Sequence, residues 1–290
     1  MEAQSGKNKL FGPMMIALGG IAWSFSGVLG KGLLWNGFSK AGFRGILAAV
    51  AFGCLRKSFR VQFNKSLILG SLGVALTSLL YMCAVQYTTS ANAIVLQYSM
   101  PVYVILLNFL VFRQKPVRRD VITILFVLTG VVLCCIEGLK GGGMLGNIIA
   151  LLSGLSFALV FFASRLPGAD AMSYSYFGNV ISIPMALFML FDPNVHFTPT
   201  ETVTSARIFM DFLQAGALGV SLFLGYWFFS LGVKRTGAVT SAIISNLEPV
   251  LNPVWVFVFL KQSPGIYGIL GALIVLVTVT LHSVLPRKTR

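Results

Sequence analysis

Apolar runs of roughly 20 residues recur from one end of this chain to the other, and that length constrains the fold more than any motif does. The hydrocarbon core of a bilayer is about 30 Å thick, which a helix rising about 1.5 Å per residue crosses in about 20 residues. Lipid offers no hydrogen bonds, so each run must satisfy its own backbone, and a helix does this within one segment. Ten runs have the length: 11–34, 38–55, 66–87, 90–112, 119–136, 143–164, 170–192, 206–232, 236–260 and 264–286. The sequence therefore predicts an all-α integral membrane protein with ten transmembrane helices. Composition agrees, because only 10% of the 290 residues are charged where a soluble domain carries about 25%.

A net charge of +14 would suggest nucleic acid as partner in a soluble protein. Here the cations lie between apolar runs, where they set orientation, so no nucleic-acid partner is expected. With the N-terminus inside, 16 of the 22 Lys and Arg fall on the cytoplasmic side, the densest groups being Arg56, Lys57, Arg60 and Lys65, and Arg113, Lys115, Arg118 and Arg119. Both termini are expected in the cytoplasm, with the chain in the cell's inner or plasma membrane. The first run is long enough to span and lacks a cleavage site after a short apolar core, so it is expected to stay as helix 1. Cys54, Cys83, Cys134 and Cys135 lie in apolar runs without metal or disulfide spacing and read as buried thiols. No nucleotide-binding loop, metalloprotease or haem motif occurs, and His196 and His282 stand far apart; neither enzyme activity nor a cofactor nor a metal is expected.

The chain also repeats itself. Pro101, Phe112, Arg113, Gln114, Lys115 and Pro116 are answered by Pro249, Leu260, Lys261, Gln262, Ser263 and Pro264, a constant offset of 148 residues. Two five-helix units follow, 1–140 and 141–290. An odd number of spans per unit makes the second copy enter from the opposite side, which gives the inverted repeats that transporters use for alternating access.

Helices 4 and 9 carry polar residues at helical spacing. Gln97, Pro101 and Asn108 share one face of the former, and Ser245, Glu248, Asn252 and Trp255 one face of the latter. Pro101, Pro249 and Pro253 each remove a backbone donor and release a carbonyl that a cavity or a neighbouring helix must satisfy, and they are candidate hinges. Such faces line a substrate path or serve as glue between helices, and the sequence leaves both open. Glu248 is an acid deep in an apolar run; it can take up a proton, pair with a cation, or be held by a neighbouring donor to stabilise the kink at Pro249. Arg44 either snorkels to the outer interface or points inward to an anion or an acid, and snorkelling is the simpler expectation. Gln97, Tyr98, Asn246, Glu248 and Asn252 are the residues expected to orient a small-molecule substrate, with Trp23, Tyr81, Tyr226 and Trp227 as walls. Arg207 and Asp211, one turn apart, are expected to pair at the surface.

The motifs and their order resemble the drug/metabolite transporter superfamily, and within it the EamA-type ten-helix carriers. Ala22, Trp23 and Ser24, Arg44, the run from Thr89 to Pro101, its counterpart from Gly237 to Pro249, and the Leu247, Glu248, Pro249 triplet carry the resemblance. It implies secondary transport of small metabolites, commonly export of amino acids or related compounds, through a cavity between the repeats. Where that family often has a Gly-Glu pair at the ends of helices 4 and 9, this chain has Arg113 and Gln114, and Lys261 and Gln262. Both copies differ alike, which implies a structural role. A scaffold or sensor without flux is the rival reading, and sugar-phosphate or nucleotide-sugar transport would call for more buried cations than Arg44 and Lys31 provide.

Overall fold

Continuous i to i−4 bonding is interrupted wherever proline withholds a donor or a competing side chain takes a carbonyl, and this chain breaks its long apolar runs at such points. The computed structural model describes every residue except 1, 56–62, 114–116, 141–142, 165, 234, 237–243, 246, 263–264 and 285–290, and the backbone alone for 2–9, 101, 108, 112, 137–140, 279 and 282–284. The helices are α1 Glu2–Ser24, α2 Ser26–Gly32, α3 Gly37–Leu55, α4 Lys65–Tyr87, α5 Ser90–Gln97, α6 Met100–Phe112 and α7 Arg118–Lys140. They continue with α8 Met144–Ala163, α9 Ala171–Ser182 extended by a 3₁₀ segment Ile183–Leu190, α10 Ser205–Val233, α11 Leu247–Leu260 and α12 Ile266–Val284. Seven helical stretches among the described residues are long and apolar enough to cross a bilayer: 10–32, 37–55, 65–87, 90–111, 118–136, 144–163 and 205–233. Two shorter apolar stretches, 247–260 and 266–278, follow. The chain is an all-α membrane protein.

Three runs expected as continuous helices are divided. The first, expected over 11–34, breaks at Phe25 and ends at Gly32. There the Ser24 hydroxyl donates to the Ile21 carbonyl at 2.7 Å and the Ser221 hydroxyl to the Ala22 carbonyl at 2.5 Å, so side chains compete for the carbonyls of the last turn. The run 90–112 breaks at Tyr98 and Ser99, because Pro101 has no N–H for the Gln97 carbonyl. The run 170–192 changes at Ser182 from α to 3₁₀, next to Pro184. The Arg207–Asp211 pair forms as expected, at 3.0 Å. The cysteines do not: all four are free, but only Cys134 is buried, and Cys54 is exposed near the end of α3. An apolar run in lipid presents one face outward, so lying within a run does not bury a thiol.

Packing between helices repeats along with the sequence. α4 packs on α8 as α1 packs on α10; α4 meets α9 as α10 meets α3; α5 and α6 meet α8 as α11 meets α1. Each of these contacts has its counterpart in the other half of the chain, while α3 against α9 and α7 against α12 join corresponding helices of the two halves. The backbone adds a second signature. Arg113 and Lys261, 148 residues apart, are the non-glycine residues with positive φ among the described residues, at 53° and 54°. Each follows the last residue of its helix, and the Lys261 amide donates to the Phe257 carbonyl at 3.1 Å, a left-handed cap. Glycine adopts that conformation at little cost, so the two basic residues keep a turn for which glycine is the usual choice.

Candidate functional site

Polar side chains buried in a membrane bundle need partners, and those expected on α11 have found them on other helices. Glu248, Asn252 and Ser245 are 5%, 0% and 4% exposed, which puts this face inward as its spacing predicts. The Tyr98 hydroxyl lies 2.8 Å from Glu248 Oε2 and 3.1 Å from the Ser245 carbonyl. That carbonyl is the one Pro249 leaves without a helical donor, so a residue of the first repeat satisfies an acceptor released in the second. The Asn252 amide donates to the Tyr81 hydroxyl at 3.1 Å, and Trp255 Nε1 donates to the Ser24 hydroxyl at 2.9 Å. Asn252 fits because Gly27 faces it; a Cβ at Gly27 would overlap the Asn252 amide.

These contacts border a cavity lined by Trp23, Ser26, Arg44, Thr77, Ser78, Tyr81, Gln97, Phe157, Leu222, Tyr226 and Glu248. It encloses about 400 Å³ of space unoccupied by protein atoms, the open solvent at its mouth included. Its walls come from α1, α2, α3, α4, α5, α8, α10 and α11, so both halves of the chain build it. Trp23 meets Tyr226 edge-on, with ring centroids 5.0 Å apart, and Phe157 meets Tyr98 at 6.1 Å. Trp23 can lie this close to α10 because Gly225 carries no side chain.

Arg44 does not snorkel. It is 4% exposed, on the face of α3 turned to α4 and α10, and its Nε donates to the Ser78 hydroxyl at 3.0 Å. Among the described residues its terminal nitrogens make no hydrogen bond, and Arg44 lines the cavity with Tyr81, Tyr226 and Glu248, which act on it electrostatically. Glu248 lines the same cavity, yet the two are not in ion-pair contact. A guanidinium and a carboxyl group thus face a shared space, each with hydrogen-bonding capacity left over. Gln97 also faces it, its Oε1 accepting from the Ser153 hydroxyl at 2.8 Å.

Of the residues singled out from the sequence, Trp23, Tyr81, Gln97, Tyr226, Glu248 and Arg44 line the cavity. Tyr98 and Asn252 stand behind it and position Glu248 and Tyr81. Trp227 is not a wall: it stacks on Phe223 at 5.9 Å, pointing a different way around α10 from its neighbour Tyr226. Asn246 lies outside the described residues. Pro101, Pro249 and Pro253 lie within α6 and α11. Sequence reasoning missed Ser26, Thr77, Ser78, Phe157 and Leu222. Thr77, Ser78 and Tyr81 do fall at helical spacing on α4, but small hydroxyls in apolar helices commonly bond their own backbone and give little signal.

A model of the EamA-like transporter family matches residues 10–136 and again residues 144–284. The chain belongs to that family. Among curated relatives, the uncharacterized transporter YetK of Bacillus subtilis is 27% identical over 246 residues, covering 78% of this chain and 72% of its own length. The uncharacterized transporter YyaM of the same organism is 23% identical over 244 residues, covering 80% and 76%, and an uncharacterized transporter of Acidianus ambivalens is 25% identical, covering 67% and 74%. A solved crystal structure superposes with a TM-score of 0.60 over 96% of each chain at 17% identity, a likeness of fold. The family and these relatives make the chain a transporter in a lipid bilayer, acting on a small molecule.

Proposed function

We propose that this EamA-like transporter is a secondary carrier of small zwitterionic metabolites, amino acids being the simplest, and that it works as an exporter. One observation carries the reading: Arg44 and Glu248 border the same cavity, near enough to act on one another electrostatically yet not in ion-pair contact. A carboxylate on the Arg44 terminal nitrogens and an ammonium on Glu248 would fill both, and charge-assisted hydrogen bonds in a site shielded from water are the strong ones. Trp23, Tyr226 and Phe157 provide apolar and aromatic walls for the rest of the solute. The family match to two successive segments supports two repeats, 1–140 and 141–290, each of five crossings and inverted relative to one another. In this reading the chain crosses ten times with both termini in the cytoplasm, and the repeats move against each other to give alternating access. A proton competing with the solute's ammonium for Glu248 would couple flux to the proton gradient.

Binding to purified protein tests this with three probes of one shape: L-phenylalanine, phenethylamine and 3-phenylpropionate. The zwitterion is expected to bind at least about tenfold tighter than either probe lacking one charge. Arg44→Gln should remove its advantage over the amine, and Glu248→Gln its advantage over the acid. Equal affinity for all three in the native protein would end the reading.

A further inference from the structure

Lys40 is a buried cation for which the cavity has no use. It lies four residues before Arg44 on α3, on the same face and one turn, about 6 Å, further along the axis. Only 2% of it is exposed, and among the described residues the one hydrogen-bond partner of its ammonium is the Gly30 carbonyl, at 2.7 Å. An ammonium offers three donors, and leaving donors unused away from water is costly. The groups close enough to act on it electrostatically are Lys31, Asp192 and Cys83. Asp192 is engaged elsewhere, accepting from the amides of Asn36 at 2.6 Å and Asn194 at 3.1 Å, and it makes no ion pair with Lys40.

Gly30 belongs to α2, the short piece cut from α1 at Phe25, and Ser26 of that piece lines the cavity. The far end of α2 is tied down by side chains rather than by continuous helix. Lys31 donates to the carbonyls of Val85 and Thr88 at 2.8 and 2.9 Å, at the end of α4, and Gln214 donates to the Leu29 carbonyl at 2.9 Å. α2 therefore separates the cavity from the end of the bundle where Lys31, Asp192 and Gln214 gather, and it supplies the carbonyl that occupies Lys40.

We propose that Lys40 is a second anion-binding group, which takes the carboxylate of the transported solute from Arg44 when α2 swings away and the cavity opens at that end. Displacing α2 removes the Gly30 carbonyl from Lys40 in the same movement that uncovers it. The freed ammonium then stands one helical turn from Arg44 on the path out. The inference rests on Arg44 as the carboxylate site of the cavity, and it makes α3 a short ladder of cations for a carboxylate.

Transport in proteoliposomes, compared with equilibrium binding, tests it. Lys40→Met should raise the KM for L-phenylalanine about tenfold, the loss expected for one charge-assisted hydrogen bond. Its Kd for purified protein should stay within about twofold, because with α2 in place Lys40 faces Gly30. Phenethylamine, which has no carboxylate, should keep its KM, and Lys40→Arg should restore the KM for L-phenylalanine. If Lys40→Met impairs both probes equally, Lys40 merely ties α2 down and the proposal falls; it falls too if neither KM moves. Failure of the cavity reading shows separately, as an Arg44→Gln variant that binds L-phenylalanine normally.

Discussion

Replacing Tyr98 by Phe isolates one hydroxyl and keeps the ring packed on Phe157. The hydroxyl serves two acceptors, the Glu248 carboxylate at 2.8 Å and the Ser245 carbonyl at 3.1 Å. Loss of a hydrogen bond to a carboxylate costs about 1.5–3 kcal/mol, and loss of the bond to the Ser245 carbonyl about 0.5–1.5 kcal/mol. Because one proton is shared between both acceptors, Y98F is expected to destabilise the protein by about 3 kcal/mol rather than by the sum. Pro249→Ala supplies the test of cause. Alanine restores an N–H four residues after Ser245, so in that background the carbonyl regains a helical donor and should no longer depend on Tyr98. The cost of Y98F should then fall by about 1 kcal/mol. Unfolding free energies of the four proteins in mixed detergent micelles, titrated with a denaturing detergent, give the coupling directly. Costs of Y98F that agree within about 0.5 kcal/mol in the two backgrounds would refute the claim that Tyr98 answers the carbonyl Pro249 releases.

Three further outcomes are expected. Arg113→Gly and Lys261→Gly relieve left-handed backbone at 53° and 54° and should each stabilise the protein by up to about 1 kcal/mol in the same titration, with a loss of stability counting against the cap assignment. Gly130→Ala places a methyl against the Gly271 carbonyl and Val275, where α7 meets α12, and should cost about 1–3 kcal/mol, whereas a neutral result would mean those helices have slack. Cys54 should react with a maleimide in the folded protein, and Cys134, at 0% exposure, only after denaturation; mass spectrometry of the labelled chain decides between this and the reverse order.

The all-α membrane class, the repeat and the inward face of α11 were legible in the sequence, because each follows from what lipid refuses to solvate. Run length specifies helices, the offset of 148 relates the two copies, and the spacing of Ser245, Glu248, Asn252 and Trp255 puts them on one side. The helix breaks were half legible. Pro101 announces its own, but the break at Phe25 depends on Ser221, almost 200 residues away, and no local pattern signals that.

Which cation faces the cavity was decided by tertiary structure alone. Arg44 and Lys40 carry the same local signature as a snorkelling side chain, since both lie in the first turns of an apolar helix; only the position of α4 and α10 around α3 closes the route to water. Trp227 and Tyr226 differ likewise, being adjacent in sequence yet about 100° apart around α10. A single helix has a polar face by its own periodicity, but whether that face meets lipid, protein or a cavity is a property of its neighbours. The sequence determined that hydrophilic groups must turn inward, and the packing of two repeats determined that Arg44 and Glu248 turn toward the same space.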